Sequence, residues 1–156
     1  MKSYFKIFIL IVFLFSCSKK LVNVEGASST LLLSMQRTAC YGTCPQYTIS
    51  IYNNGLIKYE GKMFVDKIGC FYSTLSQDLI EDIKFALNEI QFLEFENIYT
   101  ASVTDVPSVI LEVNMSSKNH KVIDRFNGPE ELKKIQKFID VISERVDPWN
   151  LCDAVE

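Results

Sequence analysis

The chain has 156 residues, 48% of them hydrophobic, and carries 16 lysines and arginines against 19 aspartates and glutamates. That length suits one packed domain and is short for two. A net charge of −3 without a basic stripe argues against a nucleic-acid binder, and there is no internal repeat, low-complexity tract or long charge run.

The first twenty residues point to a compartment. Lys2 and Lys6 are followed by an unbroken apolar run from Ile7 to Phe15, then Ser16 and Cys17. A positive start before an apolar run too short to cross a bilayer reads as a secretory signal. Leu14-Phe15-Ser16-Cys17 resembles the lipobox of bacterial lipoproteins. That resemblance implies removal of residues 1–16, a diacylglyceryl group on Cys17 and acylation of the new N-terminus. Ordinary secretion is the first alternative, and an uncleaved anchor, whose apolar stretch Lys6 interrupts on its N-terminal side, the last. Two or more acyl chains, at about 0.8 kcal/mol per buried CH₂, hold a protein at a membrane essentially permanently. Ser18 stands where an aspartate would resemble an inner-membrane retention signal, so the expected location is the outer membrane, facing the periplasm or the cell surface. Lys19 and Lys20 are placed to meet anionic head groups. Cleavage removes two lysines and no acids, so 14 basic and 19 acidic residues leave −5 on the mature chain. Residues 17–29 then form the lipidated cysteine and a polar tether, 30–147 the domain, and 148–156 a C-terminal tail with no clear period.

Leu31, Leu33 and Met35 alternate with Leu32, Ser34 and Gln36, a first strand. Tyr47, Ile49 and Ile51 alternate with Thr48, Ser50 and Tyr52, a second. Asn53-Asn54-Gly55 marks a hairpin into a third, from Leu56 to about Gly61. A two-residue loop would set Ile51 against Lys58. A three-residue loop sets Ile51 against Ile57 and Ile49 against Tyr59, keeping one apolar face, so Gly55 is expected in a left-handed bulge. Cys70 to Ser73 reads as a fourth strand. Ser76 looks like an N-cap, and Leu79, Ile80, Ile83, Leu87 and Ile90 make the stripe of a helix. Val109 to Met115 and His120 to Arg125 read as strands five and six around an SSKN turn. Pro129 fits the first position of a second helix carrying Leu132, Ile135, Ile139, Ile142 and Val146. The order ββββαββα with short links predicts an α+β domain: an antiparallel sheet covered on one face by two helices.

Beyond Cys17, four cysteines remain: Cys40, Cys44, Cys70 and Cys152. In an oxidising compartment an even number suggests disulfides, and four allow three pairings among which the sequence does not choose. Cys40 with Cys44 is the simplest, with Gly42 making the turn the short ring needs and Pro45 sending the chain into the second strand. Cys70 with Cys152 would be the second pair. The spacing Cys-x-x-x-Cys, without a βαβ pattern, ranks redox catalysis below a structural staple. A zinc site ranks lower still, because the spacing is unlike zinc knuckles and His120 is the only histidine. The stapled loop would present Tyr41 and Thr43 to a partner, so Tyr41, Gly42, Thr43 and Pro45 form the candidate binding loop.

The segment Arg37-Thr38-Ala39-Cys40-Tyr41-Gly42-Thr43-Cys44-Pro45-Gln46-Tyr47, with Asn54-Gly55, Tyr59-Glu60-Gly61, Thr104-Asp105 and Pro107, resembles an uncharacterised bacterial domain family. That family is built around Cys-x-Gly-x-Cys-Pro and occurs in envelope proteins and lipoproteins. The resemblance covers most of residues 31–147, leaves Cys70 and Cys152 outside the motif, and implies no catalytic residues. Nucleotide loops, zincin helices and nucleophile elbows have no match here. His120 reads as an exposed neighbour of a turn, and Phe92, Phe95, Tyr99 and Phe126 read as core. Asp66, Asp105 and Asp124 could only act as a carboxylate cluster if the fold gathered them. The expectation is a non-enzymatic, lipid-anchored binding or accessory module without cofactor or metal. Its partners would be the membrane, through the anchor, and an envelope protein or glycan. The stapled loop and the sheet face bearing Ser50, Tyr52, Leu56 and Lys58 would be its surfaces. The alternative is an envelope enzyme, thiol-disulfide or carboxylate-based.

Overall fold

Alternation from Leu33 onward shapes the first three strands, and a register shift between Leu31 and Leu33 buries Leu32 as well. Strand β1 (Leu31–Arg37) buries Leu33 and Met35, β2 (Gln46–Tyr52) buries Ile49 and Ile51, and β3 (Leu56–Met63) buries Ile57 and Tyr59. The computed structural model describes residues 29–152. The expected signal at 1–16, the lipidation site Cys17, the tether up to residue 28, and the last residues of the tail at 153–156 lie outside the described residues. Ile51 pairs with Ile57, Ser50 with Lys58 and Ile49 with Tyr59, the register of the three-residue loop. Gly55 takes φ 86°, and a Cβ there would stand 2.6 Å from the carbonyl oxygen of Leu75. Only glycine fits both the angle and the approach.

Strand β4 (Gly69–Thr74) leads into helix α1 (Gln77–Glu89), whose cap is Ser76: its Oγ accepts from the Leu79 N–H at 3.3 Å. A single 3₁₀ turn (Phe92–Glu94) and strand β5 (Ile98–Tyr99) follow. Strands β6 (Val109–Met115) and β7 (Lys118–Asp124) form a second hairpin, helix α2 spans Glu130–Arg145, and β8 (Asn150–Leu151) ends the described chain. Pro129 caps α2 from outside, with Glu130 as its first helical residue. Among the described residues no helix is long and apolar enough to cross a membrane.

The expected antiparallel sheet in the order ββββαββα is overturned. Eight strands run in the order β5-β7-β6-β1-β2-β3-β4-β8, and β5 lies parallel to β7, so the sheet is mixed. The two strands missing from the expectation have two residues each, too few to show a period. Long-range backbone bonds make them. The Ile123 N–H donates to Asn97 O at 2.8 Å, the Arg125 N–H to Tyr99 O at 2.9 Å, and the Cys152 N–H to Cys70 O at 3.0 Å. Residues 148–152, which read as tail, thus return along the edge of β4. One core joins Leu33, Ile49, Leu111 and Val122 of the sheet with Ile80 and Leu87 of α1 and Leu132 and Ile139 of α2.

Candidate functional site

The chain between β1 and β2 leaves the sheet, reverses and returns within eight residues. Cys40 and Cys44 close it as a disulfide with Cα atoms 5.7 Å apart, and Gly42 makes the turn by donating its N–H to Cys40 O at 3.0 Å. Tyr41 projects from this loop, 89% exposed, while its own N–H donates to Asp105 O at 3.4 Å. Thr43 and Pro45 are exposed as well. Next along the same end of the sheet, Gln46 pairs with the exposed Met63 that ends β3, and the β3–β4 loop carries exposed Phe64 and Ile68. Large apolar side chains are usually buried, so four of them around one stapled turn form a surface to be explained.

Behind this loop lies a cleft of about 280 Å³. Tyr47 and Tyr59 stack in it, with ring centres 5.4 Å apart, and Trp149 tilts against Tyr59 at 5.9 Å. Phe64 completes the aromatic lining, and Asp66, Lys67 and Glu144 supply charge at the rim. Each ring has a separate anchor. The Tyr47 hydroxyl donates to Asp140 Oδ1 at 2.7 Å, and Arg37 pairs with the same carboxylate. Tyr59 sits in β3. Trp149 hangs on a strap held at both ends: the Ser73 Oγ donates to Pro148 O at 2.8 Å, and Cys152 is bridged to Cys70, with Cα atoms 5.4 Å apart.

Burial, then the hydrogen bond to Asp140, raise the Tyr47 pKa well above the ordinary phenol range. Burial and the neighbouring charge of Asp66 raise that of Tyr59. Burial pulls the Arg37 pKa down, but the bond and charge of Asp140 outweigh it and the net shift is upward. Tyr47 therefore acts as a neutral donor to Asp140, Tyr59 as a neutral ring, and Arg37 as a fixed cation. The indole N–H of Trp149 is buried with no acceptor among the described residues.

The carboxylates weighed as a hydrolytic cluster are not gathered. Asp124 is buried in β7, accepting from the Gly128 N–H at 3.1 Å and from Gln136 Nε2 at 3.0 Å, where it holds the entry to α2. Asp66 lies beyond β3, with β6, β1 and β2 between it and the strand of Asp124. At about 4.8 Å per strand that is on the order of 19 Å. Asp105 takes φ 63° in the loop beside Tyr41. Among the described residues no three His, Cys, Asp or Glu side chains gather as a metal site.

His120 is not an exposed turn neighbour: Nε2 donates to Phe95 O at 2.9 Å and the ring meets Phe92 edge-on at 5.7 Å. The turn has only two residues, so β7 starts at Lys118, which puts His120 opposite Val113 on the core-facing side. Phe92, Phe95 and Tyr99 pack on the core, whereas Phe126 is 41% exposed. Ser50, Tyr52, Leu56 and Lys58 are half-buried on the open sheet face, where Lys58 Nζ lies 5.9 Å from the Tyr52 ring centre. A larger cleft, about 650 Å³, opens at the opposite end of the sheet, lined mainly by polar residues such as Asn53, Asn88 and Asn119.

Sequence reasoning missed Arg37, Asp140 and Trp149. The available signal was a single tryptophan set between Pro148 and Cys152, a costly aromatic in a segment with no period of its own. No curated protein matches the chain. The family model described as a domain of unknown function (DUF6438) matches residues 31–143, which takes in the stapled loop, Arg37, Tyr47, Tyr59 and Asp140 and stops short of the Trp149 strap. The chain belongs to this DUF6438 family.

Proposed function

We propose that the protein is a lipid-anchored domain of the bacterial cell envelope that works as a non-enzymatic binding or accessory module. It would engage an envelope component with the sheet end that bears the Cys40–Cys44 loop. One observation carries this reading: both cysteine pairs stand at disulfide geometry, and the shorter ring holds a tyrosine that is 89% exposed. Stable disulfides belong to oxidising compartments, which supports the export suggested by residues 1–17. A rigid loop with an exposed aromatic is a form that recognition surfaces favour, because little conformational entropy is lost on binding.

The test uses the native host. Radiolabelled palmitate should enter the wild-type protein and not Cys17→Ala. A photo-crosslinker in place of the exposed Met63, which pairs with Gln46 beside the loop, should capture one specific envelope component, and Thr43→Ala with Tyr41→Ala should abolish its recovery. Absence of label in the wild type removes the anchor. Crosslinks that are diffuse and unchanged by the double substitution remove the binding face.

A further inference from the structure

We propose that the aromatic cleft between the Trp149 strap and the β3–β4 loop is a saccharide subsite that takes an N-acetylated pyranose. This deepens the binding-module reading and rests on it for the source of the ligand, an envelope glycan. Three observations converge. The half-buried rings of Tyr47 and Trp149 line one cleft around the buried Tyr59, and the C–H face of a pyranose is an apolar surface that stacks on such rings. The charged rim supplies Asp66 and Glu144, carboxylates that accept from sugar hydroxyls, and Lys67, which donates. The cleft, at about 280 Å³, lies just below the roughly 300–1,000 Å³ typical of drug-sized ligands and so suits a single ring.

A fourth observation selects the sugar. Trp149 Nε1–H is a buried donor without an acceptor among the described residues. Such a group is costly unless something completes it. An acetamido carbonyl is a stronger acceptor than a hydroxyl and its methyl group adds apolar contact, so an N-acetylhexosamine fits better than a plain hexose. Nε1 is shielded from solvent in this conformation, so the proposal requires the cleft wall from Phe64 to Lys67 to shift as the sugar enters. The strap itself is tied by the Cys70–Cys152 bond and by Ser73. A peptide is the competing occupant. It is disfavoured here because stacked rings with a carboxylate rim suit hydroxyl groups in every direction, whereas the described cleft offers a peptide no strand edge.

Trp149 is the only tryptophan in the chain, so its emission and its indole N–H resonance report on this cleft alone. The full chain, purified in detergent, is titrated with N,N′-diacetylchitobiose, with cellobiose, and with a short neutral peptide, each to about 10 mM, ten-fold above a millimolar Kd. The expected result is a saturable shift of the indole N–H peak and of the emission with the acetylated sugar, at least about five-fold weaker with cellobiose and absent with the peptide. Trp149→Phe should weaken binding about ten-fold, followed by backbone resonances. Should that variant fail to fold, Glu144→Gln and Asp66→Asn on the exposed rim should each weaken it about two- to five-fold. No indole shift with the acetylated sugar, a shift with the peptide instead, or equal response to both sugars overturns the proposal. If palmitate labelling fails while the acetylated sugar binds, the cleft stands and the envelope reading falls; the reverse pattern removes only the saccharide.

Discussion

Arg37, the last residue of β1, and Asp140, in the third turn of α2, are 103 residues apart in sequence and meet as a two-pronged ion pair. Arg37 Nε donates to Oδ1 at 3.2 Å, the second guanidinium nitrogen holds Oδ2, and the Tyr47 hydroxyl shares Oδ1. This contact locks the last helix to the sheet beside the aromatic cleft. The carboxylate is 18% exposed and the arginine side chain 26%, so the pair is screened less than a surface salt bridge.

Removing Asp140 strands both partners. Asp140→Ala should therefore cost about 2–3 kcal/mol, more than Tyr47→Phe at about 1 kcal/mol. In a double-mutant cycle, Arg37→Ala and Asp140→Ala should couple by at least about 1 kcal/mol in urea melts. Additive losses would mean that the pair is incidental.

High pH should loosen the same corner. The free phenol has a pKa of 10.0, and the fold raises both Tyr47 and Tyr59 above it. Above pH 10 the unfolded chain releases these protons while the folded chain keeps them. Their stabilising effect is therefore complete below about pH 10 and is lost as pH rises toward the folded values. Urea midpoints measured from pH 9 to 12 should fall above 10, and Tyr47→Phe should flatten that fall.

Gly128 lies against Asp124 so closely that a Cβ would stand 2.6 Å from the carboxylate. Gly128→Ala should cost about 1–3 kcal/mol through overpacking. Asp124→Ala costs stability by itself, since Gln136 and the Gly128 N–H lose their acceptor. It should also relieve the clash, so the double variant should be more stable than the sum of the single losses.

The β6–β7 turn places Ser116 at φ 51° and Ser117 at φ 60°, the mirror-image hairpin turn that Asn-Gly favours. Ser116→Asn with Ser117→Gly should raise stability by about 0.5–1 kcal/mol, seen as a higher thermal midpoint.

The two bridges should differ in value. Cys40–Cys44 spans a sequence separation of 4 and Cys70–Cys152 one of 82. Loop entropy alone assigns about 2 and about 4.5 kcal/mol to them, so the paired Cys→Ser variant of the long bridge should lose clearly more stability. It should also release Trp149, shifting its emission to the red, while the short-bridge variant leaves that emission unchanged.

Local chemistry was readable from the residues. The pairing of Ile51 with Ile57 followed from keeping charge off one face, and the Ser76 cap from its place before an apolar stripe. What escaped depends on distant chain. Strand β5 exists because Ile123 and Arg125 donate to it, and β8 because Cys152 is tied to Cys70. His120 was misplaced because the turn is two residues shorter than the SSKN stretch suggests, and a short slip moves a strand's start without disturbing its alternation. The cleft was illegible because its walls come from residues 45–67 and 143–149, and no local pattern links Tyr47 to Trp149.

The mass of the mature protein isolated from its own host, before and after reduction and alkylation, tests the lipid-anchored, bridged domain most directly. The predicted result is a chain lacking residues 1–16, heavier by its acyl groups at Cys17, whose other four cysteines take up alkyl groups only after reduction. An unmodified Cys17, or four thiols that alkylate without reduction, would contradict it.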